Sequence, residues 1–155
     1  MKVYTSYFYQ IRNFAPYQIP VSTAVWDPKW YHANKGNDNV FIDKNGVING
    51  IRIGALQPNK NLQGLCSGTN ECRCKPEQCA FLKGYEAQLL ELDFNKIWDN
   101  LNKLAEVVKD TLEFEEEPEV VLIVYETPDN RCSERQAIQK LFSVNGVSCE
   151  EIHFR

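Results

Sequence analysis

Five consecutive apolar residues, Val120-Val121-Leu122-Ile123-Val124, constrain this chain more than any other feature. An unbroken run rich in β-branched side chains has no polar face to turn toward water. It therefore reads as a strand buried on both sides, the kind found in parallel sheets, whose faces are covered by helices. The expected fold class is α/β: one Rossmann-like domain over residues 1–155 with a mainly parallel sheet. A cysteine-rich, metal-binding loop is expected as an insertion over residues 64–80.

The buried run ends in a polar loop, Tyr125-Glu126-Thr127-Pro128-Asp129-Asn130-Arg131-Cys132, and then enters a helix. Ser133 followed three residues later by Gln136 fits a capping box, in which the serine oxygen satisfies an unpaired N–H of the first turn. Cys132 thus stands just outside a helix N-terminus at the carboxyl end of a strand, the place where open α/β sheets hold ligands. Arg135 in the first turn opposes the helix dipole, at a cost of about 0.3–1 kcal/mol. It is expected to face an anion, either Glu126 across the loop or a bound phosphate or carboxylate. The same field favours a thiolate at Cys132. The bland alternative makes Cys132 a packing residue and Arg135 a tie that pairs with Glu126.

The chain has 155 residues, 43% of them hydrophobic and 12% aromatic, enough for a sizeable core. Its net charge is −4 and its 17 basic residues are scattered, so no stripe tracks nucleic-acid phosphates. Met1-Lys2-Val3-Tyr4-Thr5-Ser6 lacks the apolar core of a signal peptide, and no apolar run spans a bilayer. A cytoplasmic protein without a membrane partner is expected.

In that setting six cysteines point to ligands or catalysts before disulfides. Cys66, Cys72, Cys74 and Cys79 fall in a segment that Gly64, Gly68 and Pro76 mark as a loop. The loop has few apolar side chains to hold it together, and four thiolates on one structural Zn²⁺ would supply a staple. The spacing also admits an iron–sulfur cluster, free thiols, or two disulfides in an oxidising setting.

Elsewhere, Lys2 to Ser6 and Ile19 to Ala24 read as strands, and Val40 to Ile53 as a hairpin turning at Asn45-Gly46. A short helix is expected from Glu77 to about Leu90. Phe94, Ile97, Trp98, Leu101, Leu104, Ala105, Val108 and Leu112 repeat at helical spacing behind Asp93 as N-cap. Glu113 to Glu119 carries five acids and reads as a solvated linker. Val147 to Phe154 forms a last strand.

The pairing of Tyr4-Thr5-Ser6-Tyr7-Phe8 with Val124-Tyr125-Glu126-Thr127-Pro128-Asp129-Asn130-Arg131-Cys132-Ser133-Glu134-Arg135 resembles the domain of unknown function 488 family, small α/β proteins of bacteria and phages. The resemblance implies that Glu126, Cys132 and Arg135 stand for that family's Glu, Cys and Arg. Ser133-Glu134 occupies the place where the family commonly has a single His.

Two functions are open. In one, the protein is an enzyme, or a former enzyme, acting on a small anionic or nucleotide-like ligand. Its anion would rest at Ser133 to Arg135, with Cys132 as nucleophile and Glu126 as proton acceptor or orienter. Thr5 and Ser6 would line the same crevice, and Tyr7, Trp30 and Tyr31 would offer a stacking wall, although core packing is the commoner use of such aromatics. His32 reads as a base, a metal ligand or a solvated loop histidine, and His153 has no assigned role. In the other, the protein is a zinc-stapled module that binds a protein partner, as a phage or bacterial regulatory factor would.

Overall fold

The computed structural model describes residues 1–32, 50–62, 75–129 and 133–154. The expected hairpin residues 40–49, together with Cys66, Cys72, Cys74 and Cys132, lie outside them, as does the side chain of His32.

The apolar run forms β3 (Glu119–Val124), and every residue from Val120 to Val124 is fully buried. Complete burial of each such side chain stabilises by about 1.5–3 kcal/mol relative to exposure, which makes this strand the anchor of the sheet. It lies between β2 (Gln18–Ser22) and β1 (Lys2–Tyr7), and β4 (Cys149–Glu151) closes the other edge beside β1. All three pairings are parallel, with Ser6 opposite Ile123 and Ser22 opposite the same residue on the far side. The fold is therefore α/β with a four-stranded parallel sheet in the order β2-β3-β1-β4. Of the expected hairpin, Ile51 to Ile53 runs beside Ser22 through two backbone hydrogen bonds.

Alternation along β3 divides the core. Val120, Leu122 and Val124 face three helices: α1 (Ala80–Leu90), α2 (Phe94–Leu112) and α3 (Glu134–Val144). Val121 and Ile123 face the other way, onto Phe8, Ile11, Ala24 and Tyr31. The long helix matches its sequence pattern. Asp93 caps it by accepting from the Lys96 amide at 3.3 Å, and Phe94, Ile97, Leu101, Ala105 and Val108 are buried. It stops where Glu113 turns into the left-handed region, at φ 56°. The acidic stretch is not all linker, because Glu119 opens β3 and accepts from Gln18 Nε2 at 3.1 Å.

This division sets the location of any site. The connection leaving β1 packs on one face of the sheet and α3, which follows β3, packs on the other. Adjacent parallel strands whose connections leave to opposite faces open a crevice at their carboxyl ends.

Candidate functional site

On the helical side of that edge stands Arg135, 4% exposed. Ser133 caps α3 as its sequence suggests, although its Oγ accepts from the Arg135 amide at 3.3 Å rather than from that of Gln136. The guanidinium donates through Nε to Glu151 Oε1 at 2.9 Å, through Nη1 to the Thr127 carbonyl at 2.8 Å, and through Nη2 to the Glu126 carbonyl at 2.8 Å. Glu151 Oε1 also accepts from Thr5 Oγ1 at 2.8 Å, and Gln139 Nε2 donates to that hydroxyl at the same distance. The pairing expected from sequence changes accordingly: the carboxylate that meets Arg135 belongs to Glu151 of β4, and Glu126 contributes its backbone oxygen. Arg135 thereby ties the loop after β3 to the edge strand.

The positive end of α3 is occupied from within the chain. Ser133 Oγ donates to Glu126 Oε2 at 3.2 Å, and Glu134 follows at the first helical position, 6% exposed. Burial pushes the Glu126 carboxyl above the usual range against the opposing pull of Ser133 and Arg135. Glu134 is raised well above its ordinary value by burial and then by Glu126, with Arg135 opposing. Its Oε2 has no hydrogen-bond partner among the described residues. A bound anion here would meet two carboxyl groups and a guanidinium already engaged by protein acceptors.

Thr5 and Ser6, expected to line the crevice, are completely buried. Both precede the last residue of β1, so the sheet and its coverings enclose them. Thr5 belongs to the Arg135–Glu151 network, and Ser6 Oγ has no partner among the described residues.

The open space lies on the other side of the edge. A cavity of about 840 Å³ has walls from Tyr7, Phe8, Tyr9, Ile11, Arg12, Pro28, Trp30, Tyr125 and Thr127. Each strand end supplies part of it: Tyr7 closes β1 and Phe8 follows it, Trp30 lies in the segment after β2, and Tyr125 and Thr127 follow β3. Phe8 is the hub. Its ring meets Tyr31 edge-on at 5.3 Å, Trp30 at 6.2 Å and Tyr125 at 6.4 Å between centroids. Trp30 is 48% exposed and Tyr125 64%, so these rings present surface to the cavity as well as to Phe8. Tyr31, expected beside Trp30 in the wall, is core. It has no exposed surface, and its single hydroxyl proton is donated to the Ile51 carbonyl at 2.7 Å and shared with the Pro20 carbonyl at 3.1 Å. A second, more polar cavity of about 560 Å³ adjoins at Tyr7 and includes Gln10, Asn13, Glu151 and His153.

The structure thus brings Tyr7 and Trp30 together and sets them apart from Arg135, Ser133 and the Glu126 carboxylate. Sequence reasoning missed Phe8, Arg12 and Tyr125 as cavity walls. The available signal was an aromatic residue directly after each of β1 and β3. Cys79, the one described member of the four-cysteine set, is buried at the N-cap of α1, where its Sγ accepts from the Leu82 amide at 3.4 Å. Among the described residues no three metal-binding side chains converge.

No family model matches the chain, and neither a curated protein nor a solved structure matches it significantly. The geometry therefore carries the functional argument. Among the described residues no helix is long and apolar enough to cross a membrane.

Proposed function

We propose that the protein binds a small nucleotide-like ligand in the aromatic crevice at the carboxyl ends of β1 and β3, within a Rossmann-like domain. One observation carries this reading: a cavity of about 840 Å³ walled by Phe8, Trp30 and Tyr125 at the sheet edge where the two connections part. Ligand pockets commonly enclose about 300–1,000 Å³ and combine apolar or aromatic walls with a few polar groups. Several aromatic side chains gathered around one space suit a planar ring held by stacking. Titration with adenosine 5′-monophosphate should quench tryptophan emission, and Trp30→Ala should weaken binding at least tenfold. Unchanged affinity in that variant removes the cavity from consideration.

Catalysis is a separate proposal that does not draw on the aromatic cavity: Cys132 would be the nucleophile, Glu126 a proton acceptor or orienter and Arg135 the cation, and alkylation of Cys132 well below pH 8 is its expected sign. The four cysteines are proposed to hold a structural Zn²⁺, and elemental analysis near one equivalent in a colourless protein is expected. A brown protein would favour the iron–sulfur alternative. Membership of the domain of unknown function 488 family is likewise a proposal, resting on the two terminal motifs.

The second reading, a protein-binding module, is favoured by Trp26, which is 76% exposed and belongs to no described aromatic cluster. In that case the nucleotide would fail to perturb Trp30, and replacing Trp26 would abolish partner capture.

A further inference from the structure

Two arginines stand near the sheet edge, and they differ in what holds them. Arg12 lies in the short 3-10 helix Phe8–Asn13. Side chains three apart in such a helix eclipse one another, so its residues sort into pairs. Phe8 and Ile11 are buried, whereas Tyr9 and Arg12 project outward together. The Arg12 guanidinium carbon rests 3.5 Å from the centre of the Tyr9 ring. Arg12 makes no ion pair and no side-chain hydrogen bond among the described residues. It is the only charged side chain among the described walls of the aromatic cavity.

We propose that Arg12, laid across Tyr9, is the anion-binding arm of this cavity, which selects a planar ring carrying one phosphate or carboxylate group, of about nucleoside-monophosphate size. The inference rests on the cavity reading above and adds the ligand's charge and the residue that recognises it. Stacking on Tyr9 holds the guanidinium plane and leaves its N–H edge to donate, as a planar fork does to phosphate or carboxylate. The alternative seat at the N-terminus of α3 already contains the carboxyls of Glu126 and Glu134, and Arg135 is occupied by Glu151 and two carbonyls. That seat is filled and its guanidinium saturated, which favours the opposite side of the edge. One cation matches one anionic group, and rings at Phe8, Trp30 and Tyr125 match the aromatic remainder.

The test uses the full chain and three probes: adenosine 5′-monophosphate, adenosine and benzoate, with dissociation constants read from tryptophan emission and checked by calorimetry. Hydrogen bonds to charged groups contribute about 1.5–3 kcal/mol, which corresponds to roughly 10- to 150-fold in affinity. The wild-type protein should bind the monophosphate at least tenfold more tightly than adenosine. In Arg12→Gln that ratio should fall to about one while the adenosine constant stays unchanged. Arg12 is solvent-facing, so an unaltered melting temperature will show that the variant is folded. Arg12-dependent binding of benzoate also supports the proposal, and the tighter of the two anions names the natural source of the charge. Equal binding of adenosine and its monophosphate, or a preference that survives Arg12→Gln, overturns the role of Arg12 and leaves the cavity reading intact. Failure of all three probes overturns the cavity reading itself.

Discussion

The two sides of the sheet's carboxyl edge solve opposite problems with similar residues. Beneath α3, Arg135 is buried and every one of its nitrogens donates to a protein oxygen, binding β4, the loop after β3 and the helix cap into one unit. Across the sheet, Arg12 lies on an aromatic ring at the rim of a cavity. A cation enclosed by acceptors is a structural part, because any ligand would have to replace bonds already made. Arg12 meets only a ring among the described residues, and its donors are there to offer. Side-chain identity is the same in both places, and satisfaction of hydrogen bonds separates them.

The largest effect that sharpens this contrast concerns stability. Arg135→Met should destabilise the protein by about 3–5 kcal/mol, because Glu151 would remain buried without its partner. Thr5 still donates to Glu151 in that variant, so the loss measures the guanidinium's own bonds. Urea unfolding reads it, and a loss below about 1 kcal/mol would break the distinction between the two arginines. Ser133→Ala removes the α3 cap and should cost about 1 kcal/mol in the same assay. Trp30→Ala should reverse the ranking, with a stability loss of about 1 kcal/mol from its edge-on ring contacts and an at least tenfold loss of nucleotide affinity.

A subtler effect concerns pH. Glu134 holds its proton more tightly folded than unfolded, so the native state binds more protons above the unfolded value of about 4.3. The stability this group contributes is complete below that value and is lost as pH rises through its folded pKa. Glu134→Gln should therefore stabilise the protein relative to wild type, increasingly as pH rises above about 5. Denaturant midpoints of the two proteins between pH 5 and 8 check this, and parallel curves would contradict it. Least in energy, the buried thiol of Cys149, pushed up to about 12 chiefly by burial, should resist alkylation in folded protein at pH 8.

Much of the frame was legible because it depends on local pattern. The run from Val120 to Val124 has one reading in any sheet, and Phe94 to Leu112 repeats too regularly to be anything but a helix. Asp93 and Ser133 announce their caps by chemistry alone. The site was legible only in part, since its geometry depends on which way a side chain leaves an irregular turn. Trp30 and Tyr31 are adjacent and aromatic, yet one lines the cavity and the other is core, tied by its hydroxyl to two carbonyls. Thr5 and Ser6 were placed in the crevice because they lie near the end of β1. The strand continues to Tyr7, and that small extension leaves both beneath the coverings of the sheet. Glu151 gave no sign of its role, because its partner lies 16 residues away in α3 and meets it only once β4 is laid beside β1. The expected last strand, Val147 to Phe154, contracts to Cys149–Glu151, while His153 beyond it borders the polar cavity.

The central claim is that a ligand enters on the aromatic side of the edge and leaves the Arg135 side undisturbed. A ¹⁵N-resolved NMR titration with adenosine 5′-monophosphate tests this most directly. Progressive shifts are expected at Phe8, Arg12, Trp30 and Tyr125, with the amides of Ser133 and Arg135 and the Arg135 Nε–H signal unmoved. Shifts concentrated at Ser133, Glu134 and Arg135, with Phe8 and Trp30 silent, would contradict it.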